Sequence, residues 1–316
     1  MKITVVFNQG RTREALTDDS VQTAHAIAAA LASLGHQTDL FELKDTNLPK
    51  ILPDVFFNQA WGVGSDENSE DKVAEFLAAT GVSYTGADAT AICLTSDKAA
   101  TKKLLADHNI STPRWQKVTQ PDFVLKDLSF PVIVKPDGQD CSLGIDQKSI
   151  FTNPAGLTEK VATLLKEFGE SVLVEEYIAG RELNVTVLGN EVLPISEITF
   201  GPSFKDKYPI VDYAAKWEVQ SASYQETVGV CPAPLSPATR ELVAELAKKA
   251  FTFTNCRDYA RVDFRLDQNE APYVLEVNVN PAIGPDDGAT RSAKAAGLSY
   301  AKFLEKVVKL AYARRH

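Results

Sequence analysis

The chain has 316 residues, 44% of them hydrophobic and 24% charged, with a formal net charge of −9. That length can bury a large core and divides most naturally into two or three domains, and the acidic balance excludes general nucleic-acid binding, which needs a basic surface. No apolar run has the length of a membrane span or the form of a signal peptide, and four scattered cysteines with four unpaired histidines argue against a zinc centre and for free thiols in a reducing cytoplasm.

Residues 1–94 read as alternating strands and helices. "ITVVF" is a short apolar strand, "DDSVQTAHAIAAALASLGH" a helix closing at Gly35, "QTDLFEL" and "DVFFNQ" further strands, and "SEDKVAEFLAATGV" a helix ending at Gly81. This alternation predicts a parallel sheet covered by helices, with ligands beyond the carboxyl ends of its strands. A second unit, 95–178, opens on the helix "DKAATKKLLADHN", capped by Thr95 or Ser96, and carries strands around "PVIVKP" and "SVLVEEYI". A third, 179–316, runs through "ELNVTVLG", a long polar loop, the helix "SPATRELVAELAKKAFTF", a hairpin and the amphipathic helix "SYAKFLEKVVKLAYARR". The class is α/β, turning α+β in the C-terminal part. The common phosphate loops are missing: no G-x-x-x-x-G-K-[ST] occurs, and "WGVGSDEN" does not complete G-x-G-x-x-G.

The hairpin "VDFRLDQNEAPYVLEVNVNP" places three oxygen-bearing side chains inside apolar strands. Alternation puts Val262, Phe264 and Leu266 on one face with Asp263 opposite; it likewise groups Tyr273, Leu275, Val277 and Val279, leaving Glu276 and Asn278 opposite. If Leu266 pairs with Tyr273, Asp263 lies across from Glu276 and Arg261 across from Asn278. Like charges so paired are destabilising by roughly 0.2–1 kcal/mol. A hard cation such as magnesium would relieve them, filling its other positions with water and phosphate; an exposed acidic face is the plainer alternative.

"FPVIVKPDGQDCSLGI" delivers Lys135 at a strand end beside a small flexible loop with Ser142, a pattern that suits phosphate and equally a surface lysine at an ordinary turn. Lys98 falls in the first turn of its helix, where the macrodipole penalises a cation by about 0.3–1 kcal/mol, so an anion there would compensate. In "SVLVEEYIAGRELNV" the linker after the strand could read an adenine edge and Glu182 could hold ribose hydroxyls, or the linker is a solvated connector.

In order, "SDK", "VIVKP", "VLVEEYIAG", "DYAAKW", "VCPAPL", "YARVDF" and "LEVNVNP" resemble the ATP-grasp superfamily, specifically the D-alanine–D-alanine ligases and their close relatives. The resemblance spans nearly the whole chain and is strongest from Lys98 onward. It implies an ATP-grasp fold behind an N-terminal parallel α/β domain, and an ATP-dependent ligase that activates a carboxylate as an acyl phosphate and lets an amine displace phosphate. It implies that Lys98 and Lys135 contact the ATP phosphates, that Glu175, Glu176, Tyr177 and Ile178 line the adenine mainly through backbone, and that Glu182 meets the ribose. Asp263, Glu276 and Asn278 would carry two magnesium ions, or manganese in their place, with Asn278 also at the nucleotide. Arg261 would stabilise the oxyanion of the tetrahedral intermediate, Lys216 would touch the transferred phosphate from a closing loop, and Ser142 would act beside them. Small amino-acid or amine substrates, a homodimer and the cytoplasm belong to the same expectation.

Several positions depart from the family pattern. Trp61 stands in place of a histidine, Cys141-Ser142 in place of two serines, and Trp217 in place of a tyrosine. Glu14 is offset from the glutamate that anchors the donor's ammonium. Asp287 occupies the position of a serine that binds the acceptor's carboxylate, which an aspartate would repel; Arg291 is a nearby cation. The expectation is therefore a carboxylate–amine ligase with altered substrate pockets. The alternatives are an authentic D-alanine–D-alanine ligase of cell-wall synthesis and, in another class, an ATP-binding protein without chemistry.

Overall fold

A computed structural model describes residues 1–9, 14–45, 47, 49, 51–64, 66, 69–169 and 171–314, with backbone alone for 14–19. In the first third, strands β1 (Lys2–Phe7), β2 (Gln37–Glu42), β3 (Val55–Asn58) and β4 (Ser83–Tyr84) form a parallel sheet in the order β2-β1-β3-β4. Helices α1 (Glu14–Ala32) and α2 (Glu70–Ala79) connect them, each followed by a left-handed glycine, Gly35 and Gly81, as expected where a helix stops. Between β1 and β3 the strand order reverses, the usual place for a ligand crevice. Asn8 and Trp61 meet there, the Trp61 N–H donating to Asn8 Oδ1 at 2.9 Å.

Helix α3 (Ala89–Ser96), which the sequence did not suggest, precedes α4 (Lys98–Asp107). The cap of α4 is Asp97 rather than Thr95 or Ser96: its carboxylate accepts from the Ala100 N–H at 2.8 Å. That places an acidic group beside Lys98 and satisfies an orphan donor of the first turn. The second sheet then forms from β5 (Trp115–Val118), β6 (Val132–Pro136), β7 (Ile150–Phe151) and β8 (Val172–Glu176), in the order β5-β8-β6-β7, with α5 (Leu157–Phe168) packed against it. It has a core of its own around Val132, Val134, Val161, Leu164 and Val174.

The third sheet is antiparallel. Strands β9 (Arg181–Leu188), β10 (Glu191–Val192), β11 (Ser196–Phe200), β12 (Thr227–Val230), β13 (Tyr259–Leu266) and β14 (Pro272–Asn278) run β12-β11-β9-β13-β14, with β10 on β9. The long polar loop is more ordered than its sequence suggests: between β11 and β12 it forms the short helices α6 (Tyr213–Trp217) and α7 (Ala222–Gln225). Helix α8 (Pro237–Phe253), capped by Ser236, covers the sheet's apolar face, which is continuous with α2, α3 and one face of the first sheet. The last helices are α9 (Gly288–Ala295) and α10 (Tyr300–Ala313). Phe303, Leu304, Val307 and Val308 of α10 return to the first sheet and pack with Ile3, Val5, Ile27 and Phe57.

The hairpin register corrects the expectation in an instructive way. Leu266 pairs with Pro272, not Tyr273, so the turn is one residue tighter on β14. A bulge then inserts Leu275, and Asp263 still faces Glu276 while Arg261 faces Asn278. The bulge also shifts the alternation. Pro272 and Val274 join Val277 in the core, and Tyr273 and Leu275 do not. Two residues opposing one across a ladder is what lets strand phase change without losing the pairing beyond it.

Candidate active site

One cavity of about 400 Å³, counting its open mouth, is lined by Glu70, Asp140, Glu276, Asn278 and Asn280, with Ile92, Thr95 and Ser96 behind. It lies where α2, α3, the loop after β6 and the end of β14 converge.

Lys98, first residue of α4, reaches the loop after β6: its ammonium donates to Gln139 O at 2.6 Å and to Asp140 Oδ1 at 3.1 Å. Burial works against its charge, but Asp140, Glu276 and Asp137 outweigh it and hold the ammonium above its ordinary pKa. Lys98 in turn holds Asp140 below the usual carboxylate range, and Lys216 and Arg261 act in the same direction. Of these cations Lys98 touches the carboxylate at the cavity, and Lys216 and Arg261 act on it through their charge. Asp140 gave no sign of this in the sequence.

Lys135, at the end of β6, meets Glu175 Oε1 at 2.7 Å. The other oxygen of Glu175 is 2.8 Å from Lys102, whose ammonium also donates to Thr112 Oγ1 at 2.7 Å. All three charged groups are buried. Glu175 and Glu176 leave β8 on opposite faces, as successive strand residues must. Glu176 turns outward to a two-point pair with Arg114, at 2.6 and 3.1 Å, and accepts the Ser129 N–H. Tyr177 stacks under the Arg265 guanidinium, 5.3 Å from the ring centre. Arg265 also donates to Glu182 Oε2 at 3.0 Å and to Pro209 O, and burial raises the Glu182 pKa despite that arginine. The side chain of Ile178 is half-buried in the same linker.

On the third sheet, Asp263 is saturated with donors. Arg261 Nε and Asn184 Nδ2 donate to Oδ1 at 2.7 and 2.8 Å, and Arg261 Nη2 and Asn278 Nδ2 donate to Oδ2 at 2.8 and 3.0 Å. Asp263, Glu276 and Asn278 form a hard oxygen donor set on adjacent strands, which suits magnesium better than any softer metal. Among the described residues no three His, Cys, Asp or Glu side chains converge closely enough to hold a metal by themselves. The set fits a cation that takes its remaining oxygens from phosphate and water, provided Arg261 releases Asp263.

The loop 201–226 is docked on the loop after β6. Ser142 Oγ donates to Val211 O at 2.7 Å, Trp217 Nε1 to Cys141 O at 2.9 Å, and the Tyr213 N–H to Ile145 O at 3.1 Å. Cys141 and Ser142 both take left-handed backbone conformations, φ +59° each, which costs a non-glycine residue on the order of 1 kcal/mol or more. Gly144, also left-handed, is required: a Cβ there would reach 2.8 Å from Phe168. Lys216 stands 5.6 Å from the Trp217 ring.

The other substrate positions are separated. Asp287, capping α9, accepts the Gly284 N–H at 2.6 Å and bears on the charge of Arg261. Arg291 faces away, over Gly229 and within 3.3 Å of Ser196 Oγ. Trp61 lies half-buried at the switch point of the first sheet. The side chain of Glu14 is outside the described residues.

Sequence reading missed Lys102, Asp140, Glu70 and Asn280. Lys102 had a signal: with Lys98, Thr101 and Leu105 it follows the i, i+3, i+4, i+7 spacing of a buried helix face. Asn280 links units far apart in sequence, donating to Glu70 Oε1 at 2.6 Å and accepting the Ala87 N–H at 3.0 Å. Burial pushes Glu70 up to about 7.

The family model for the D-ala D-ala ligase C-terminus matches residues 104–309. An uncharacterized protein, y4sG, of Sinorhizobium fredii is 32% identical, covering 92% of this chain and 88% of its own. A D-alanine–D-alanine ligase of Maridesulfovibrio salexigens is 31% identical, covering 94% of each. In fold the chain is similar to the D-alanine–D-alanine ligase of Bacillus anthracis crystallised with ATP, with a TM-score of 0.80, 24% identity and coverage of 100% and 98%.

Proposed function

We propose, from the premise that the chain belongs to the D-alanine–D-alanine ligase family, that it is an ATP-dependent ligase joining a carboxylate to an amine, with substrate pockets of its own. The observation that carries this reading is the contact of the buried Lys98 ammonium with Asp140, at 3.1 Å, in a cavity whose other wall is the acidic strand bearing Glu276 and Asn278. A phosphate-rich nucleotide between a cationic and an acidic wall needs both: ammonium groups on one side and a cation held by carboxylates on the other.

In this reading Lys98 and Lys135 bind phosphate oxygens, the backbone from Glu175 to Ile178 lines the adenine, and Glu182, oriented by Arg265, receives the ribose. Asp263, Glu276 and Asn278 would hold magnesium or manganese, which neutralises phosphate oxygens when bound. The donor carboxylate attacks the terminal phosphorus and ADP leaves. The amine then attacks the acyl carbon, Arg261 stabilises the oxyanion, and inorganic phosphate departs as the amide forms. Lys216 and the docked loop keep water from the acyl phosphate. Ser142 would act beside them, its bond to Val211 O tying it to the closing loop. The nucleotide would lie among three units, 1–94, 95–178 and 179–316. A cytoplasmic homodimer fits the free cysteines and the family.

Asp287 beside Arg261 disfavours an acceptor that presents a carboxylate there. ADP release across a panel of amino acids and simple amines, with product masses, tests the proposal. Amide products with acceptors other than D-alanine are expected; turnover with D-alanine alone would establish the ordinary dipeptide ligase, and no turnover with ATP still bound would favour a binding protein.

A further inference from the structure

Lys102 belongs to no role assigned above, yet it is 1% exposed, as dry as any charged group in the structure. It shares Glu175 with Lys135, and the trio counts two ammonium groups against one carboxylate at 1%, 6% and 2% exposure. An uncompensated buried charge is costly unless an anion comes to meet it. The second partner of Lys102, Thr112 Oγ1, passes a hydrogen bond to Val274 O at 2.8 Å. Val274 stands immediately before the bulge that leads to Glu276. Lys102 thus connects the second sheet, where Lys135 sits, to the acidic strand of the third.

We propose that Lys102 is a positioning residue of the nucleotide site: it keeps Glu175 neutralised so that Lys135 is released to an incoming phosphate. The inference rests on the ATP-dependent reading above. Without Lys102, Glu175 and Lys135 form a closed one-to-one pair. Taking Lys135 for a phosphate would then strand a buried carboxylate, so the ammonium stays where it is. With Lys102 on Oε2, Lys135 can turn toward the phosphate while Glu175 keeps a partner. The surplus charge that burial opposes is the charge the phosphate uses.

Direct calorimetric titration of the full chain with ATP and magnesium, without other substrates, tests this. Lys102→Met should weaken ATP binding about 10- to 100-fold, in line with the loss of a group that orients a binding residue. Its melting temperature should not fall, because a neutral Glu175–Lys135 pair remains. The double variant Lys102→Met/Glu175→Gln should recover affinity, since Lys135 is then unpaired and free. Unchanged ATP affinity in Lys102→Met, or weakened affinity that the double variant does not recover, would overturn the proposal and leave Lys102 as structural. Failure of the wild-type chain to bind ATP at all would overturn the nucleotide reading itself, a distinct result.

Discussion

Arg261 and Asp263 occupy one strand two positions apart and close on each other through two short contacts. Each is thereby kept from the work its position suggests, the arginine from an oxyanion and the aspartate from a cation. Arg261→Ala should lower kcat roughly 100- to 1000-fold, the usual loss when an oxyanion donor is removed. Divalent-cation binding to the nucleotide-free chain should tighten, because each oxygen of Asp263 loses its charged donor and keeps only an asparagine amide. Steady-state kinetics and metal titration read the two effects separately. Glu70 supplies a second residue-level prediction. Burial pushes it up to about 7 from an ordinary 4.5. Protonated Glu70 therefore contributes stability that is complete below pH about 4.5 and lost as pH rises through about 7. Glu70→Gln should remove this loss, so its melting temperature should fall less than the wild type's between pH 5 and 7.5. Asp263 and Lys98 could be noticed in the sequence because a charged residue in an apolar strand or a first helical turn is locally out of place. Glu70 and Asp140 sit in ordinary polar stretches, and their character comes from residues 40 or more positions away.

At the scale of elements, the β13–β14 hairpin shows what alternation can and cannot read. Counting by twos groups Tyr273, Leu275 and Val277 as a buried face. The bulge gives Val274 and Val277 instead, with Leu275 and Glu276 both half-exposed between them. Period-2 patterns do not reveal a bulge in a run such as "YVLEVNV", where apolar residues stand on both phases. Even so, the facing pairs Asp263–Glu276 and Arg261–Asn278 came out as expected, because a turn one residue tighter and one extra residue cancel. Val274→Ala should cost roughly 1–3 kcal/mol in denaturant unfolding, as for a fully buried aliphatic side chain. Leu275→Ala should cost much less. The opposite ranking would restore the unbulged register. Helix α4 carries the matching lesson: its spacing marked a buried face, and that face holds Lys98 and Lys102, which a count of apolar residues passes over.

Across the whole molecule, the order of motifs along the chain carried the fold, because three sheets in series and a parallel first sheet follow from runs of local pattern. The closure of the site did not follow from sequence. Loop 201–226 is polar and irregular in composition, yet it is held to the second sheet's loop by bonds from Ser142, Trp217 and Tyr213, and Gln147 reaches Tyr208 O and Asp212. Several of these bonds engage a backbone carbonyl, so side-chain identity at one partner says nothing about them. Docking matters for chemistry because an acyl phosphate exposed to water is hydrolysed instead of passed to the amine. Trp217→Phe keeps an aromatic ring beside Lys216 and removes the Nε1 donation to Cys141 O. Loss of one such bond is worth about 0.5–1.5 kcal/mol, so the undocked population should rise roughly 2- to 10-fold. The expected signature is partial uncoupling, phosphate released in excess of amide formed, with ATP binding little changed. An unaltered ratio of phosphate to amide in Trp217→Phe would mean that this bond does not hold the loop shut, and that exclusion of water rests on the Ser142, Tyr213 and Gln147 contacts.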